Sequence, residues 1–314
     1  REAKTVLLQL PEGLKAEGPR LAIIIEEAGA LAIVSADPCY GACDLALPDA
    51  ESLGADLLIH YGHSPQIIHG GVPTIYMEAR AKISVKEAVK KAIPLLKHWN
   101  SIGLVTTVQH VHMLNEAKEV LLKAGKTVSI GDAGQAKYAG QVTGCNYSNA
   151  KSISKEVDAF LFIGGGRFHA IGVALATAKP TIIADPYERR VYPIHDEVKR
   201  VFKQRWASIS EAKKAERFGV LIGLKSGQKR VEEAMEAKKK LDKNGKKATL
   251  LALREVTPEA LMQFPIGAFV NTACPRISLD DASRFPKPVL TFEEMLIMMG
   301  EISWEELCGK GWFE

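Results

Sequence analysis

Residues 36–47 read ADPCYGACDLAL and directly follow an apolar run at residues 30–34. The apolar run predicts a buried strand, and the glycine-containing polar stretch after it predicts the loop in which that strand ends. Two cysteines, Cys39 and Cys43, lie in this loop. A structural cysteine would more often lie within the apolar run, whereas loops at strand ends commonly carry chemistry. We therefore interpret the loop as part of a functional site.

Two further cysteines occupy similar positions in distant parts of the chain. Cys145 lies in QVTGCN and Cys274 lies in FVNTACPR, and each follows an apolar, β-branched run by a few residues. In open α/β sheets, ligands bind beyond the carboxyl ends of the strands, which is where all three loops fall. The pattern predicts that the loop at residues 36–47 and the loops around Cys145 and Cys274 meet at one central site.

The same succession of strands and helices occurs three times, with a period of roughly a hundred residues, so each copy is a small domain and not a solenoid unit. Strands that alternate with helices predict parallel sheets with right-handed crossovers. We expect an α/β fold of three similar small domains, each a short parallel sheet flanked by helices, at residues 1–98, 99–208 and 209–314. Ser84, followed three residues later by Glu87, predicts a capping box at the start of a helix. The predicted strands are residues 5–10, 30–35, 56–60 and 74–77, then 101–106, 127–130, 159–163 and 181–184, then 218–224, 248–253, 268–271 and 289–291, with a weaker segment at 141–143.

The composition is that of an ordinary globular protein. Of the 314 residues 46% are hydrophobic and 25% are charged, and the net charge is +4. No apolar stretch reaches the length of a membrane span and no signal-peptide pattern is present, so we expect a cytoplasmic protein that does not associate with membranes. The five cysteines, an odd number, favour thiolates or metal ligands over a disulfide framework. The lysine-rich residues 238–247 lack interleaved aromatic residues, which favours a solvated helix end over a nucleic-acid groove.

The loop cysteines allow three chemical interpretations. Cys39 and Cys43 are spaced within the range of zinc ligands, and His60 and His63 can complete a mixed zinc site. Three thiolates from separate domains suit an iron–sulfur cluster better, because thiolates are its usual ligands and a fourth iron would stay open for a substrate. The remaining interpretation is five unrelated cysteines, and their spacing alone does not exclude it.

A glycine-rich segment offers a second candidate site. Residues 164–172 read GGGRFHAIG between a predicted buried strand and a helix. Glycines allow backbone amides to approach a ligand, and a helix N-terminus favours an anion, so a phosphate, a carboxylate or a nucleoside can bind there. The segment does not satisfy the GxGxxG fingerprint of dinucleotide-binding proteins, and an ordinary tight turn explains it equally well. His63, in YGHS, is a candidate acid, base or hydrogen-bond donor, or a loop histidine with a structural role.

Several motifs in this order resemble one known family. They are LLQLPEGL, ADPCYGACDLA, HYGHS, TGCN, FIGGGRFHAIGVALAT, ADPY, GLKSGQ and VNTACPRISLDD, and the match that they carry runs from about residue 5 to residue 293. The chain resembles the archaeal diphthamide-synthesis enzymes, the 2-(3-amino-3-carboxypropyl)histidine synthases. The resemblance implies three α/β domains, a homodimer, and a [4Fe–4S] cluster held by one cysteine of each domain. By that resemblance the ligands are Cys43, Cys145 and Cys274, whereas Cys39 is a bystander or spare thiol and Cys308 is unrelated.

The resemblance also implies the reaction. The enzyme would be a transferase that uses an uncommon radical cleavage of S-adenosylmethionine, releases methylthioadenosine, and adds the 3-amino-3-carboxypropyl group to a histidine of translation elongation factor 2. An electron donor would be needed, and nucleic acid would not be bound directly. The glycines Gly164, Gly165 and Gly166 would hold the nucleoside or carboxylate of the cosubstrate. The side chains expected around its charged groups are Arg167, His169, His63 and Arg276.

Two other functions remain open on the sequence alone. Quinolinate synthase also joins three α/β domains around a three-cysteine [4Fe–4S] cluster, but it condenses small metabolites and needs no protein substrate. A non-catalytic iron–sulfur sensor is the third possibility, and it would bind without turnover. Cleavage of S-adenosylmethionine separates the first function from the other two, whereas an iron–sulfur absorption band does not.

Overall fold

The computed structural model describes residues 3–66 and 70–313. The contacts divide the chain into two compact units. The first unit comprises the residues up to Lys82 together with Val108–His112 and Lys225–Gly227. The second unit comprises Ile83–Thr107, Met113–Leu224 and the residues from Gln228 onward. Among the described residues, no helix combines the length and the apolar content needed to cross a membrane.

The first unit contains one parallel sheet of four strands in the order β2-β1-β3-β4. Its strands are β1 (Thr5–Gln9), β2 (Leu31–Val34), β3 (Leu57–Gly62) and β4 (Thr74–Glu78). A 3-10 helix (Glu12–Glu17) and helix α1 (Gly18–Glu27) follow β1, and helix α2 (Leu47–Ser52) precedes β3. Strand β1 lies inside the sheet and is buried over its last four residues, which explains its apolar sequence.

The second unit contains two sheets. One has the order β6-β5-β7-β8-β9, in which β9 alone is antiparallel to its neighbour, and the other is parallel with the order β11-β10-β12-β13. The strands are β5 (Ser101–Thr106), β6 (Thr127–Ser129), β7 (Ala159–Ile163), β8 (Thr181–Asp185), β9 (Arg190–Pro193), β10 (Arg217–Gly223), β11 (Lys247–Leu253), β12 (Ala268–Asn271) and β13 (Val289–Leu290). In all three sheets the first strand of the copy lies between the second and the third strand, so the copies share one topology.

The helices of the second unit cover its sheets. They are α3 (Lys86–Ala92), α4 (Leu114–Lys123), α5 (Ser148–Ile153), α6 (Phe168–Thr177), α7 (His195–Ala212), α8 (Val231–Lys243), α9 (Pro258–Met262), α10 (Pro275–Leu279), α11 (Phe292–Met299) and α12 (Trp304–Lys310), with short 3-10 helices at Ile93–Leu96, Val111–Met113 (shared between the units) and Ala282–Arg284. The largest core packs α6, α7, α8, α11 and α12 against β10 and β12, with Trp312 at 2% exposure. This core ties helix α6, from the second copy, to the sheet of the third copy.

The predicted α/β class with three short parallel sheets is confirmed, and every predicted strand is present within two residues at either end. The weaker segment at 141–143 forms only an isolated bridge, between Thr106 and Gln141. Strand β9 was not predicted from the sequence. The strands of the three sheets lie within the three predicted segments, while the domain boundaries at residues 98 and 208 stay a prediction.

The predicted capping box at Ser84 is wrong. Ser84 Oγ donates to Glu116 Oε1 at 2.9 Å, while Glu87 pairs with Lys90 at 2.8 Å and does not reach back to the start of the helix. Ser84 Oγ also accepts from the backbone N–H of Lys86 at 3.3 Å, but the N-cap residue of α3 is Val85, so α3 begins without a side-chain cap. Complete capping boxes occur instead at Thr291 with Glu294 and at Ser303 with Glu306.

An aspartate joins the first and third strands in two of the three sheets. Asp56 Oδ2 accepts from the two backbone N–H groups at the start of β1, each at 2.9 Å. Asp158 Oδ2 does the same at the start of β5, again at 2.9 Å each. Gly267 has the corresponding place before β12, and a Cβ there would lie 2.9 Å from Ala215 Cβ. The first two copies therefore share this aspartate contact, whereas the third copy has a glycine in the corresponding place.

Candidate functional site

The loop that carries Cys43 is held by a segment far away in sequence. Cys43 is half-buried, and its carbonyl accepts from the backbone N–H of Gly227 at 2.8 Å. Ser226 Oγ accepts from the backbone N–H of Leu45 at 3.3 Å and lies 3.5 Å from the Cys43 carbonyl. Residues 226 and 227, in the GLKSGQ motif, thus fix the backbone that directly follows the thiol.

A buried ion pair strengthens this attachment. Lys225 Nζ lies 3.1 Å from Asp44 Oδ2, and both side chains are largely shielded from solvent. The same ammonium lies 4.0 Å from the centre of the Tyr40 ring, close enough for a cation–π contact. Gln9, at the end of β1, donates from Nε2 to the Asp44 carbonyl at 2.6 Å. Sequence analysis missed Lys225, Asp44 and Gln9 because no local pattern relates residues so far apart.

His63 lies against His60 in the first unit, with 3.0 Å between His63 Nδ1 and His60 Nε2. Burial lowers the pKa of His60 to about 3, with a smaller effect of His63, and burial lowers the pKa of His63 to about 4. Burial also raises the pKa of the nearby Cys39 thiol to about 12. Both imidazoles are therefore neutral in the folded protein near pH 7.

The lowered pKa values predict that acid destabilises the protein. Because the pKa of His60 falls from 6.5 to about 3 on folding, the unfolded chain binds more protons below about pH 6.5. The contribution of the neutral histidine to the free energy of unfolding is fully present above that pH and is lost as the pH falls toward 3. The loss for one such group is on the order of 2 kcal/mol between pH 7 and pH 5. Urea unfolding of metal-free protein at several pH values measures this loss.

His60→Gln should flatten that pH dependence, because glutamine does not titrate there. Substitution of the exposed His98 by glutamine is the matched control and should leave the slope unchanged. An unchanged slope in His60→Gln would contradict the assignment of the effect to this histidine pair.

Cys145 lies in the second unit, in a turn between β6 and α5, and is half-buried. The backbone N–H of Thr143 donates to the carbonyl of Asn146 at 3.1 Å and closes the turn around the thiol. Tyr147 follows and is 1% exposed. Burial raises its pKa well above the ordinary value, with smaller contributions from nearby groups that include Cys145 and Cys274. A protonated tyrosine thus lies near both thiols.

Cys274 follows β12 and precedes α10 in the same unit. Asn271 donates from Nδ2 to the Cys274 carbonyl at 2.8 Å and accepts at Oδ1 from the backbone N–H of Ala273 at 3.0 Å. The loop is therefore fixed by a side chain from the end of its own strand. Cys43 and Cys145 follow the second strand of their copies, whereas Cys274 follows the third strand, so the departure from threefold symmetry is a property of the fold.

A cavity of about 140 Å³ opens between these loops in the second unit. Its lining includes a cation and two carboxylates. Its lining residues include Cys145, Asn271, Thr272, Ala273, Pro275, Arg230, Glu233 and Glu293. The cavity is therefore a polar chamber that the Cys145 turn and the Cys274 loop share.

The packing of Tyr147 makes Gly172 a sensitive position. A Cβ at Gly172, in α6, would overlap the Tyr147 hydroxyl, so Gly172→Ala forces that buried ring to move. We expect a loss of about 1–3 kcal/mol in the free energy of unfolding, as for other overpacked cores. Urea denaturation measures it.

Gly309 is the matched control, because it also lies in a helix and nothing stands within 4 Å of the Cβ that would be added. Gly309→Ala should leave stability unchanged or raise it by up to about 1 kcal/mol, since alanine is the better helix former. Equal effects of the two substitutions would contradict the packing argument.

The predicted cosubstrate residues of the second unit lie around the start of α6. Gly164 and Gly166 have φ angles of +149° and +78°, which glycine alone adopts readily. The His169 ring stacks on Phe162 with 5.9 Å between centroids. Arg167 is exposed and lies 3.1 Å from Glu197 Oε1.

Arg276 lies close to both the Cys145 turn and α6. Its guanidinium lies 4.1 Å from the centre of the Phe168 ring, and its Nε lies 3.1 Å from Asp280 Oδ2. A Cβ on Gly144 would stand 3.9 Å from Arg276 Cδ. The structure thus brings Arg276 beside the Cys145 turn, while Arg167 pairs with Glu197 and His63 belongs to the first unit.

The chain is thus an α/β protein of three repeated sheets, and loops at its strand ends carry Cys43, Cys145 and Cys274. Residues 10–308 match the family of diphthamide synthesis proteins. The chain is 42% identical to 2-(3-amino-3-carboxypropyl)histidine synthase of Pyrococcus horikoshii, over 98% of this chain and 90% of that protein. It is 33% identical to subunit 1 of the Schizosaccharomyces pombe synthase, over 98% of this chain and 72% of that protein. It is 32% identical to the human subunit 1, over 97% of this chain and 70% of that protein.

The solved structures agree with these relatives. The crystal structure of Dph2 from Pyrococcus horikoshii with a 4Fe–4S cluster superposes with a TM-score of 0.89, covering 96% of this chain and 87% of that one at 42% identity. The chain therefore belongs to the diphthamide synthesis protein family, and the resemblance read from its motifs is confirmed.

Proposed function

We propose that this protein is a transferase that moves the 3-amino-3-carboxypropyl group of S-adenosylmethionine to a histidine of translation elongation factor 2, the first step of diphthamide formation. The observation that carries the proposal is the 42% identity over nearly the whole chain to a 2-(3-amino-3-carboxypropyl)histidine synthase. The cysteine loops add to it, because they supply the donor atoms that such chemistry requires.

We assign the ligands of a [4Fe–4S] cluster to Cys43, Cys145 and Cys274. The donor chemistry fits: none of the three cysteines is in a disulfide bond, all are half-buried in loops at strand ends, and thiolate is the usual ligand of this cluster. When bound, the cluster supplies the electron and the open iron site for cleavage of the bond between the sulfonium sulfur and the γ carbon. Three protein ligands leave that iron site for the cosubstrate.

The residues around the thiols have complementary roles. The ion pair of Lys225 with Asp44 and the hydrogen bonds of Ser226 and Gly227 hold the Cys43 backbone, while Asn271 holds the Cys274 backbone. Fixed loops of this kind lower the cost of organising a metal centre. Tyr147 keeps its proton because its burial disfavours the phenolate.

We assign the cosubstrate to the surroundings of the Gly164–Gly166 segment, with Arg276 as the group that faces its carboxylate. The guanidinium of Arg276 lies beside the Cys145 turn and over Phe168. An arginine that is also in contact with an aromatic ring suits a bidentate carboxylate contact. The family resemblance adds His169, in the first turn of α6, Arg167, directly before that helix, and His63 as further contacts of the cosubstrate.

The transfer balances in atoms and electrons. The carbon–sulfur bond breaks, methylthioadenosine leaves, and a carbon–carbon bond forms between the γ carbon and C2 of the acceptor imidazole. The hydrogen at C2 leaves as a proton, and the electron used for cleavage returns when the imidazole regains aromaticity. An electron donor is therefore needed to start turnover and is not consumed in each cycle. The protein would act in the cytoplasm as an archaeal homodimer, without binding nucleic acid directly.

The test is chromatography of anaerobically reconstituted protein after incubation with S-adenosylmethionine and dithionite. Methylthioadenosine that requires both the cluster and the reductant is the expected product. Deoxyadenosine would contradict the proposed bond cleavage. No cleavage by protein with a full cluster would indicate a condensing enzyme of the quinolinate-synthase type or a sensor. Mass spectrometry of elongation factor 2 then identifies the modified histidine.

A further inference from the structure

Cys39 and His60, which the proposed function leaves unused, form a cluster with His63 in the first unit. Their potential ligand atoms all lie within 4.8 Å of one another. His60 is fully buried and Cys39 is 3% exposed. His60 lies on β3, His63 follows the end of that strand, and Cys39 lies in the loop after β2. Three soft or borderline donors thus converge from two strand ends.

The hydrogen bonds around Gln9 determine which nitrogen of His60 carries its proton. Gln9 donates from Nε2 to the Asp44 carbonyl at 2.6 Å, and its Oε1 accepts from the backbone N–H of Ala46 at 3.1 Å. The amide orientation is therefore fixed, and Oε1 is the atom that lies 2.8 Å from His60 Nδ1. His60 must donate from Nδ1, which leaves the lone pair on Nε2.

This arrangement is the one that metal-ligating histidines have in proteins. Such a histidine donates its non-ligating N–H to an oxygen acceptor, and that contact fixes the tautomer and the ring orientation. His60 Nε2 then faces His63 Nδ1 at 3.0 Å, with the Cys39 sulfur nearby. Two nitrogens at this separation subtend about 95° at a metal 2.0–2.1 Å from each, which is below the tetrahedral angle, so the two rings would separate slightly when a four-coordinate ion binds.

We propose that Cys39, His60 and His63 bind a mononuclear divalent transition metal, zinc or ferrous iron, separately from the iron–sulfur cluster. The ligand atoms are Cys39 Sγ, His60 Nε2 and His63 Nδ1. Mixed thiolate and imidazole donors select these metals over magnesium or calcium. Three protein ligands leave a fourth coordination position for solvent or a small ligand.

The proposal gives Cys39 a role that differs from that of Cys43 on the same loop. Cys39 is buried against imidazoles, whereas Cys43 is half-buried, with its carbonyl bound by residues 226–227. In a metal-free alternative, His63 Nδ1 donates to His60 Nε2 and the thiol is only packed beside them. The two arrangements differ in metal affinity, which is measurable.

The experiment uses the full chain with Cys43, Cys145 and Cys274 replaced by alanine, so that no iron–sulfur absorption interferes. Circular dichroism establishes that this variant is folded, and the metal-stripped protein is titrated with Co²⁺. We expect one Co²⁺ per chain, with a thiolate-to-cobalt band in the near ultraviolet and the visible bands of a four-coordinate ion. Cys39→Ser should abolish the thiolate band. His60→Ala and Gln9→Leu should each weaken binding by about ten- to a hundredfold.

Cys308→Ala and His98→Ala, in the same background, are the matched controls and should leave the titration unchanged. Absence of Co²⁺ binding by the folded variant, or binding that is indifferent to Cys39→Ser, would overturn the proposal. If the triple variant does not fold, metal analysis of the cluster-loaded wild type decides. It should contain about one zinc per chain after growth with zinc, and Cys39→Ser should lose that zinc while the iron of the cluster stays. Loss of cluster iron in Cys39→Ser would make Cys39 a cluster ligand and refute the separate site.

Discussion

Cys145→Ala is expected to yield a folded protein that has lost its cluster and forms methylthioadenosine more than about a hundredfold more slowly. Cys145 is half-buried in a turn that is closed by backbone hydrogen bonds, so removal of its sulfur leaves the fold intact. The thiolate itself has no substitute, because no second cysteine lies in the Cys145 turn. Cys43→Ala and Cys274→Ala should behave in the same way. Iron content, the visible absorption of the cluster and chromatography of the nucleoside product are the measurements.

Cys308→Ala is the matched control for these three variants. Cys308 is also a half-buried free thiol, but it lies on α12 beyond the family motifs. Its replacement should leave iron content and product formation at the wild-type level. Full activity of Cys145→Ala would refute the ligand assignment. Equal loss in Cys308→Ala would mean that the assay reports general damage from removing thiols.

Arg205→Leu is expected to have the largest effect on stability. Arg205 and Glu294 are both 0% exposed, and Arg205 Nε and Nη2 lie 2.7 and 2.5 Å from the two carboxylate oxygens. Arg205 also donates to the carbonyls of Ser278 and Val289 at 2.5 and 2.7 Å. Its removal leaves a buried carboxylate and two carbonyls without a charged donor. We expect a loss of about 3–5 kcal/mol in the free energy of unfolding, measured by urea denaturation.

The double variant Arg205→Leu/Glu294→Leu separates the cost of an orphaned charge from the value of the pair. It should be more stable than Arg205→Leu, because both charges are then absent from the core. Lys90→Met serves as the surface control, since it removes a solvent-exposed ion pair with Glu87 and should change little. A loss in Arg205→Leu no greater than in Lys90→Met would contradict the analysis.

Most of the fold was predictable because buried strands have apolar sequences that can be recognised without knowledge of the tertiary structure. The strand Ala159–Ile163 is buried at every position, and its five apolar residues fix its bounds without help from the rest of the chain. Strand β9 (Arg190–Pro193) was missed because it lies at the edge of its sheet. Its sequence contains a charged residue and a proline and therefore lacks the apolar pattern of a buried strand. The capping box at Ser84 failed because α3 begins one residue later than predicted, so that Val85 is the N-cap residue, and because Glu87 pairs with Lys90.

The candidate site was predictable to the extent that its chemistry is carried by distinctive residues. Three cysteines at strand ends are a strong signal, and they give the proposed cluster ligands. Lys225, Gln9 and Tyr147 were missed, because lysine, glutamine and tyrosine have many ordinary roles and their contacts depend on tertiary structure. Arg167 shows the reverse problem: its place in a glycine-rich motif suggested a ligand contact, and its side chain lies against Glu197.

The attachment of the Cys43 loop has a consequence for the order of events during protein synthesis. Leu45 and Ser226 are separated by 181 positions, so the hydrogen bond between them must wait until most of the chain has left the ribosome. At ordinary elongation rates this delay is roughly ten to forty seconds. During that time the nascent first sheet can form, while the thiol of Cys43 lacks the backbone support that it has in the finished protein. A chain truncated before residue 225 would therefore contain every strand of the first sheet and still lack the groups that bind the backbone of the Cys43 loop.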